Sequence, residues 1–431
     1  MTADDRAVRP RTDRQRRLVH RLLSRLGPGL VTGAADDDPS GIATYAQAGA
    51  AFGYALGWSV VLTLPLMVAV QEIAARIGRV TGKGLGAALR AHSPRPVLLI
   101  LVGLLVFANV VNLGADIGAM ADAARLVAGG PAALWAIGAA LFCAGTEIWI
   151  SYRRYVAFLK WLTLALLAYI ALLFVIRLPL GEVLRGTLLP RVALTRPALT
   201  TLVALLGTTI SPYLFFWQAA EEAEDLAAAA DPRPLRELSL DAAPEIARIG
   251  FDTWAGMSYS NLVSLAIIVG TAATLHAHGV TQIDDAAAAA SALAPVAGRF
   301  AGLIFALGIF GTGLLAVPVL AGSSAYALGE ASGWTVGLGR QVLEARAFYA
   351  TIAIATLLGT LIIFSPLNPI QALFWSAVIN GVAAVPMIIA MLVLGSLASV
   401  MGALVLPAWL LILGAGAAAL MAFASVGMLV L

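Results

Sequence analysis

Asp36-Asp37-Asp38-Pro39-Ser40-Gly41 interrupts the first hydrophobic segment of the chain, and Thr208-Thr209-Ile210-Ser211-Pro212-Tyr213 interrupts the sixth. Pro39 and Pro212 carry no amide hydrogen and disfavour helix in the residue before them, so the backbone is expected to open at Asp38 and Ser211. At membrane depth each unsatisfied polar group costs roughly several kcal/mol unless it lines a cavity or holds an ion. Two such interrupted helices are the strongest sequence pointer to a transported solute's binding site. The breaks lie about 173 residues apart, roughly five spans. Five is odd, so the second block enters the membrane from the opposite side and the blocks are inverted repeats.

The rest of the composition agrees. The chain has 431 residues, 60% hydrophobic and only 12% charged, with a mean hydropathy of +0.91; this excludes a soluble multidomain protein. A spanning helix needs ~20 mainly apolar residues, and eleven candidates can be drawn, at 27–56, 57–78, 97–127, 132–150, 155–178, 197–222, 253–275, 292–328, 347–364, 370–395 and 403–430. The expected fold is an all-α polytopic membrane protein: a tail at 1–26, a first five-helix repeat at 27–180, a second, inverted one at 197–395, and an additional eleventh helix at 403–431. The polar stretch from Glu221 to Arg248 reads as a loop between the halves. The single cysteine, Cys143, can form no intrachain disulfide and reads as a packing residue.

Charge sets the orientation. Of the 27 Lys and Arg residues, 21 fall in the N-terminal tail and the loops on its side, eight of them tail arginines from Arg6 to Arg25. The positive-inside rule then puts the N-terminus in the cytoplasm and, with an odd number of spans, the C-terminus outside. The pI near 9.2 follows from this topology and implies no nucleic-acid partner. No cleavable signal is evident, and the arginine tail has anionic lipid as an alternative reading.

Residue types at the breaks favour a hard cation. The carboxylate of Asp38, the hydroxyls of Thr208, Thr209, Ser211 and Tyr213 and the opened carbonyls form an oxygen-only set of candidate ligands, with Asp37 as a weaker one. Gly41 and Ser40 add room without bulk. Mg²⁺ and Ca²⁺ take oxygen ligands, and Mg²⁺ usually keeps several waters beside one or two carboxylates. A plain proline kink is the competing reading of the sixth segment. His276 and His278 have no third ligand nearby and read as loop residues.

Around these residues the sequence resembles the Nramp divalent-metal transporters. The likeness rests on Gly27-Pro28-Gly29-Leu30, on the Asp-Pro break followed by Ala43-Thr44, Gln47-Ala48-Gly49-Ala50 and Phe52-Gly53-Tyr54, and on Ala74-Ala75-Arg76 leading to Val80-Thr81-Gly82-Lys83. The resemblance implies eleven spans in the LeuT-like architecture, with the first and sixth helices broken. A typical Nramp has Asp-Pro-Gly-Asn in the first helix and Met-Pro-His in the sixth, where Asp, Asn and Met side chains and an alanine carbonyl hold Mn²⁺ or Fe²⁺. Here Ser40-Gly41 replaces Gly-Asn, Ser211 the methionine, Tyr213 the histidine and Thr208 the alanine. The soft ligand is gone, and oxygen ligands suit Mg²⁺, Ca²⁺ and Mn²⁺. The pattern is similar to the Nramp-related magnesium transporters, and implies a partly hydrated Mg²⁺ held by Asp38, the Gly41 and Thr208 carbonyls and nearby hydroxyls.

Proton coupling is expected to be weak or absent. In proton-coupled relatives the third helix carries an aspartate and, three residues on, a glutamate; here Asp116 matches the first and Ala119 replaces the second, while Tyr213 replaces the sixth-helix histidine. A tyrosine, with a pKa near ~10, is a poor proton carrier at neutral pH. Asp116 is left as a residual proton site, an outer ion guide or a structural acid. Glu221 and Glu222 could draw a cation into the inner vestibule, and Asn380 could line the ion route. The expected protein is thus a monomeric divalent-cation transporter of a bacterial inner membrane, without a resident cofactor, its partners being the transported ion and the lipid bilayer. A proton-coupled Mn²⁺/Fe²⁺ symporter is the alternative. An organic-solute carrier would leave the first break uncharged to receive a carboxylate, and no catalytic motif marks an enzyme.

Overall fold

In the computed structural model the chain is helical throughout the described residues, which are 28–149, 166–190, 194–229, 231–237, 242–365 and 368–431. The arginine tail, 1–26, lies outside them, as does much of the fifth predicted span. The principal helices are α1 (Pro28–Asp36), α2 (Pro39–Phe52), α3 (Gly57–Thr81), α4 (Leu85–His92), α5 (Arg95–Ala128), α6 (Ala132–Trp149), α7 (Leu167–Val175), α8 (Leu180–Leu188), α9 (Arg196–Thr209), α10 (Pro212–Ala227), α11 (Ala242–Thr274), α12 (Ala301–Ser332), α13 (Arg346–Ile362), α14 (Pro369–Ser396) and α15 (Ala408–Val430). Seven helical stretches among the described residues are long and apolar enough to cross a membrane, and Ala132–Glu147 and Arg346–Ile362 are shorter apolar helices.

Both breaks form where the prolines place them. α1 stops at Asp36 and Asp38 caps α2 in extended conformation, with Pro39 at the first helical position. α9 stops at Thr209, Ile210 leaves the helix (φ −123°, ψ 64°), Ser211 is extended, and Pro212 starts α10. α1 packs on α10 and α2 on α9, so the two discontinuous helices lie antiparallel, as inverted repeats require.

Several boundaries differ from the sequence reading, each for a local reason. The first and second spans meet at a short 3-10 turn, Gly53–Leu56, entered through Gly53 at φ 57°, where a side chain would be strained. The eighth apolar stretch starts at Ala294, close to the expected 292, but is bent at Gly298 (φ 51°), so that its long helix begins at Ala301. The eleventh begins at Ala408, behind Pro407. The stretch from Glu221 to Arg248 is not simply a loop: α10 runs on to Ala227 and α11 already starts at Ala242. Their acids and arginines pair with one another across helices, which lets polar helix ends form.

Small residues let the central helices touch at the backbone. A Cβ on Gly33 of α1 would come within 2.3 Å of the Gly256 carbonyl carbon in α11, and one on Gly207 of α9 within 2.1 Å of the Ala377 carbonyl oxygen in α14. Such contacts drive helix association where lipid removes the hydrophobic gradient. Leu134, Leu141, Phe174, Ile412 and Leu429 instead project from the outside of the bundle, as a lipid-facing belt does.

Gly33→Val should therefore push α1 off α11 and lower stability by about 1–3 kcal/mol, read as an earlier thermal unfolding transition in detergent. Gly138→Val, with open space around its Cβ, should unfold like the parent.

Candidate functional site

The site is assembled where the two breaks face each other. Asp38 is 2% exposed, Thr208 and Ser211 1%, and Tyr213 and Asp116 are fully buried, so the site is closed to both faces of the bundle. Asp38 first serves its own helix: Oδ1 accepts the Gly41 amide at 2.6 Å, and the Ser40 hydroxyl donates at 2.8 Å to Oδ1 and 2.9 Å to Oδ2. From α5, Asn112 Nδ2 donates to Asp38 Oδ2 at 2.9 Å and more weakly to Asp116 Oδ2 at 3.4 Å. Ser376 of α14 holds the Asn112 carbonyl oxygen at 2.7 Å. A negative group at the N-terminus of α2 also gains from that helix dipole.

The sixth-helix residues take distinct places. Thr208 Oγ1 lies 2.8 Å from where a Gly41 Cβ would stand, and Asp38 Oδ1 3.3 Å from it; only glycine leaves this gap open. Thr208 Oγ1 has no hydrogen-bond partner, and neither has Asp116 Oδ1, Asp36 Oδ1, Asp37 Oδ2, Thr44 Oγ1 or Tyr45 Oη. The Tyr213 hydroxyl crosses to the first break and donates to the Ala35 carbonyl at 3.0 Å. Ser260 of α11 donates to both other acids, at 2.6 Å to Asp36 Oδ2 and 2.9 Å to Asp37 Oδ1.

Three placements correct the sequence reading. Gly41 is already helical, so its amide rather than its carbonyl turns towards Asp38. Thr209 directs its hydroxyl back to the Leu205 carbonyl at 2.9 Å, within its own helix. Ser211 donates to the Gly207 and Thr208 carbonyls at 2.8 and 2.9 Å, so the Thr208 carbonyl is partly satisfied and its hydroxyl is the atom left open. Among the described residues no three His, Cys, Asp or Glu side chains converge on one point.

Glu222 lies in an ion-pair cluster at the end of the bundle where α1 begins. Arg248 reaches Glu222 at 2.7 Å and Glu245 at 3.1 Å, Arg79 reaches Glu245 at 2.8 Å, and Arg79 stands 3.9 Å from Glu222 and 3.8 Å from Asp225. α3, α10 and α11 are thereby tied together. Glu221 is on α10 beside it and partly buried. Asp252 accepts the Gly29 amide at 2.7 Å, anchoring the start of α1. Asn380 is 1% exposed in α14 with neither amide atom partnered. His276 and His278 bond to the Ala50 and Thr274 carbonyls, and among the described residues no third ligand joins them.

Ser260 and Ser376 are the site residues that sequence reading did not single out, and Asn112, which reads in the sequence as an interhelical hydrogen bonder, is one that bears on the carboxylate. For Asn112 a signal existed: Asn109, Asn112 and Asp116 fall at i, i+3 and i+7, one stripe of α5. Two antiparallel broken helices around a buried carboxylate and hydroxyls define a membrane transporter of the LeuT-like architecture. More narrowly, the chain belongs to the Nramp family: the model described as natural resistance-associated macrophage protein-like matches residues 29–431. It is 26% identical over 405 residues to the divalent metal cation transporter MntH of Klebsiella pneumoniae (strain 342), covering 91% of this chain and 90% of that one. It is 28% identical over 301 residues to the MntH of Xanthomonas campestris, covering 68% and 66%. Among solved structures it is similar in fold to an Eremococcus coleocola manganese transporter, with TM-score 0.74, 18% identity, and 94% and 85% of the two chains covered. It is also similar to a transporter of the nucleobase-cation-symport-1 family, with TM-score 0.55, 16% identity, and 94% and 92% covered.

Ser260→Ala removes the one hydroxyl shared by Asp36 and Asp37. The variant should lose about 1–3 kcal/mol of stability through unsatisfied acids, measured by thermal unfolding at neutral pH. An unchanged transition would mean that these carboxyls find other partners.

Proposed function

We propose that the protein carries a partly hydrated divalent cation across the membrane, with Mg²⁺ as its preferred ion, by alternating exposure of the site at Asp38. The observation that carries this reading is the donor set: one carboxylate among hydroxyls and opened carbonyls, with Ser211 standing where a thioether would select a softer metal. Oxygen ligands and few charges suit an ion that keeps part of its water shell. Asp38 would bind directly, replacing the Ser40 hydroxyl contact, with the Thr208 hydroxyl and carbonyls at the ends of α1 and α9 completing the shell. Asn112 would orient the carboxylate. That the curated relatives matched here are named as divalent metal cation transporters supports the substrate class.

The arginine distribution supports a cytoplasmic position for the face where α1 begins, in a bacterial plasma membrane. Transport would draw on the membrane potential, worth ~2.3 kcal/mol per charge per 100 mV, with weak or no proton coupling, since Ala119 and Tyr213 offer no carrier near the ion.

Isothermal titration of purified protein should show Mg²⁺ binding that Asp38→Ala weakens at least ~100-fold, the loss of about 3 kcal/mol expected when one partner of a buried charge pair is removed. Mg²⁺ affinity equal to the parent's would place the site elsewhere. Ser211→Met should shift competition towards Mn²⁺ in the same titration, because a thioether favours the softer ion; an unchanged Mn²⁺ to Mg²⁺ ratio would dissociate selectivity from this position.

A further inference from the structure

One unexplained polar group among the described residues lies away from the ion site. Glu147, near the end of α6, is 9% exposed, and neither of its carboxyl oxygens has a hydrogen-bond partner. Among the described residues no arginine or lysine pairs with it. Its surroundings are aromatic and tight. A Cβ added to Gly322 of α12 would lie 3.5 Å from Glu147 Oε1 and 2.6 Å from the Trp217 ring. Trp217 meets Tyr326 edge-on at 6.1 Å, Tyr326 meets Phe348 at 4.9 Å, and Phe348 meets Tyr349 at 5.4 Å. This layer joins α10, α12 and α13 around the carboxyl.

The titratable groups facing Glu147 run in two directions. Cys143, one turn earlier on α6, is within electrostatic reach of both Glu147 and Asp116 of α5. Tyr349 of α13 is within reach of both Glu147 and Glu224 of α10. Glu224 Oε1 accepts the Tyr326 hydroxyl at 2.5 Å and the Leu338 amide at 2.9 Å. Both Tyr326 and Glu224 line a cavity of about 750 Å³ at the end of the bundle read as cytoplasmic. Glu147 therefore lies beside Gly322 and Trp217, and Trp217 meets Tyr326 of the cavity wall.

An unpaired carboxylate in such surroundings costs several kcal/mol, roughly, and a bound proton removes the charge. We propose that Glu147 is a proton-binding site separate from the ion path, filled from the cytoplasmic cavity when the Trp217–Tyr326 layer loosens, and that its occupancy biases the closed arrangement of α6, α10 and α12. One proton from water neutralises one carboxylate, and it returns to the same side, so no net proton transfer accompanies the ion. The site acts through helix packing, as a positioning residue, and leaves the charge balance of the transported ion unchanged.

The test compares the parent with Glu147→Gln and Glu147→Asp. Infrared difference spectra between mildly acid and mildly alkaline pH should show a protonated-carboxyl band that Glu147→Gln loses. In proteoliposomes, Mg²⁺ uptake by the parent should vary with internal pH, the Gln variant should stay at the parent's acid-side rate throughout, and the Asp variant should keep the response with a shifted midpoint. Calorimetric Mg²⁺ binding should be the same in all three. A Gln spectrum that overlays the parent's overturns the proposal, as does an unaltered pH profile. Should the Gln variant fail to fold, an unshifted midpoint in the Asp variant overturns it equally. The uptake and calorimetric arms rest on the proposed Mg²⁺ function; the infrared arm stands without it, so failure of one reading is distinguishable from failure of the other.

Discussion

Everything in this bundle follows from one constraint: a backbone opened at membrane depth must satisfy its polar groups inside the protein. The first break is completed by side chains from both halves of the chain, while at the second break the hydroxyls of Thr209 and Ser211 turn back onto α9. The Tyr213 hydroxyl takes the Ala35 carbonyl, Asn112 steadies Asp38, and Ser260 serves Asp36 and Asp37 together. Gly33 lying against Gly256 and Gly207 against Ala377 bring the helices close enough for those short side chains to reach. Several oxygens left without partners, among them Thr208 Oγ1, Asp36 Oδ1, Asp37 Oδ2 and Asp116 Oδ1, belong to the breaks and the helix beside them, which is where a cation would be held most cheaply.

Closure of the site is asymmetric in chemistry. On the side where α1 begins, Arg79, Arg248, Glu222 and Glu245 clamp α3, α10 and α11, and Asp252 holds the first turn of α1. Breaking a partly buried pair strands a charge, so such a cluster opens as a unit or not at all. The other side is closed mainly by packing, with the Gly53–Leu56 elbow tucked against α8 through Gly186 and Tyr54. An ion-pair latch at one end and closer packing at the other would give the proposed alternating exposure two mechanically different steps.

Much of this was legible in the chain. Pro39 and Pro212 announce the breaks because a missing amide hydrogen acts locally, and the apolar runs announce the spans because hydrocarbon thickness fixes their length. What was illegible depends on partners far away in sequence. The helical extensions to Ala227 and from Ala242 exist because acids on one meet arginines on the other and on α3. Gly41 could not be known to offer its amide rather than its carbonyl until Asp38 was placed as a helix cap. Glu147 falls inside the fourth predicted span, where an acid is itself a signal, but only the absence of hydrogen-bond partners around it marks it as unpaired.

The central claim is that one carboxylate among hard oxygen donors moves a hydrated divalent ion on voltage without a stoichiometric proton. Its most direct test is flux through proteoliposomes at equal internal and external pH, with an inside-negative potential and a trapped pH dye. The account predicts Mg²⁺ entry that rises with the potential while internal pH stays level. Internal acidification in proportion to Mg²⁺ entry, or entry of Mn²⁺ with none of Mg²⁺, would contradict it.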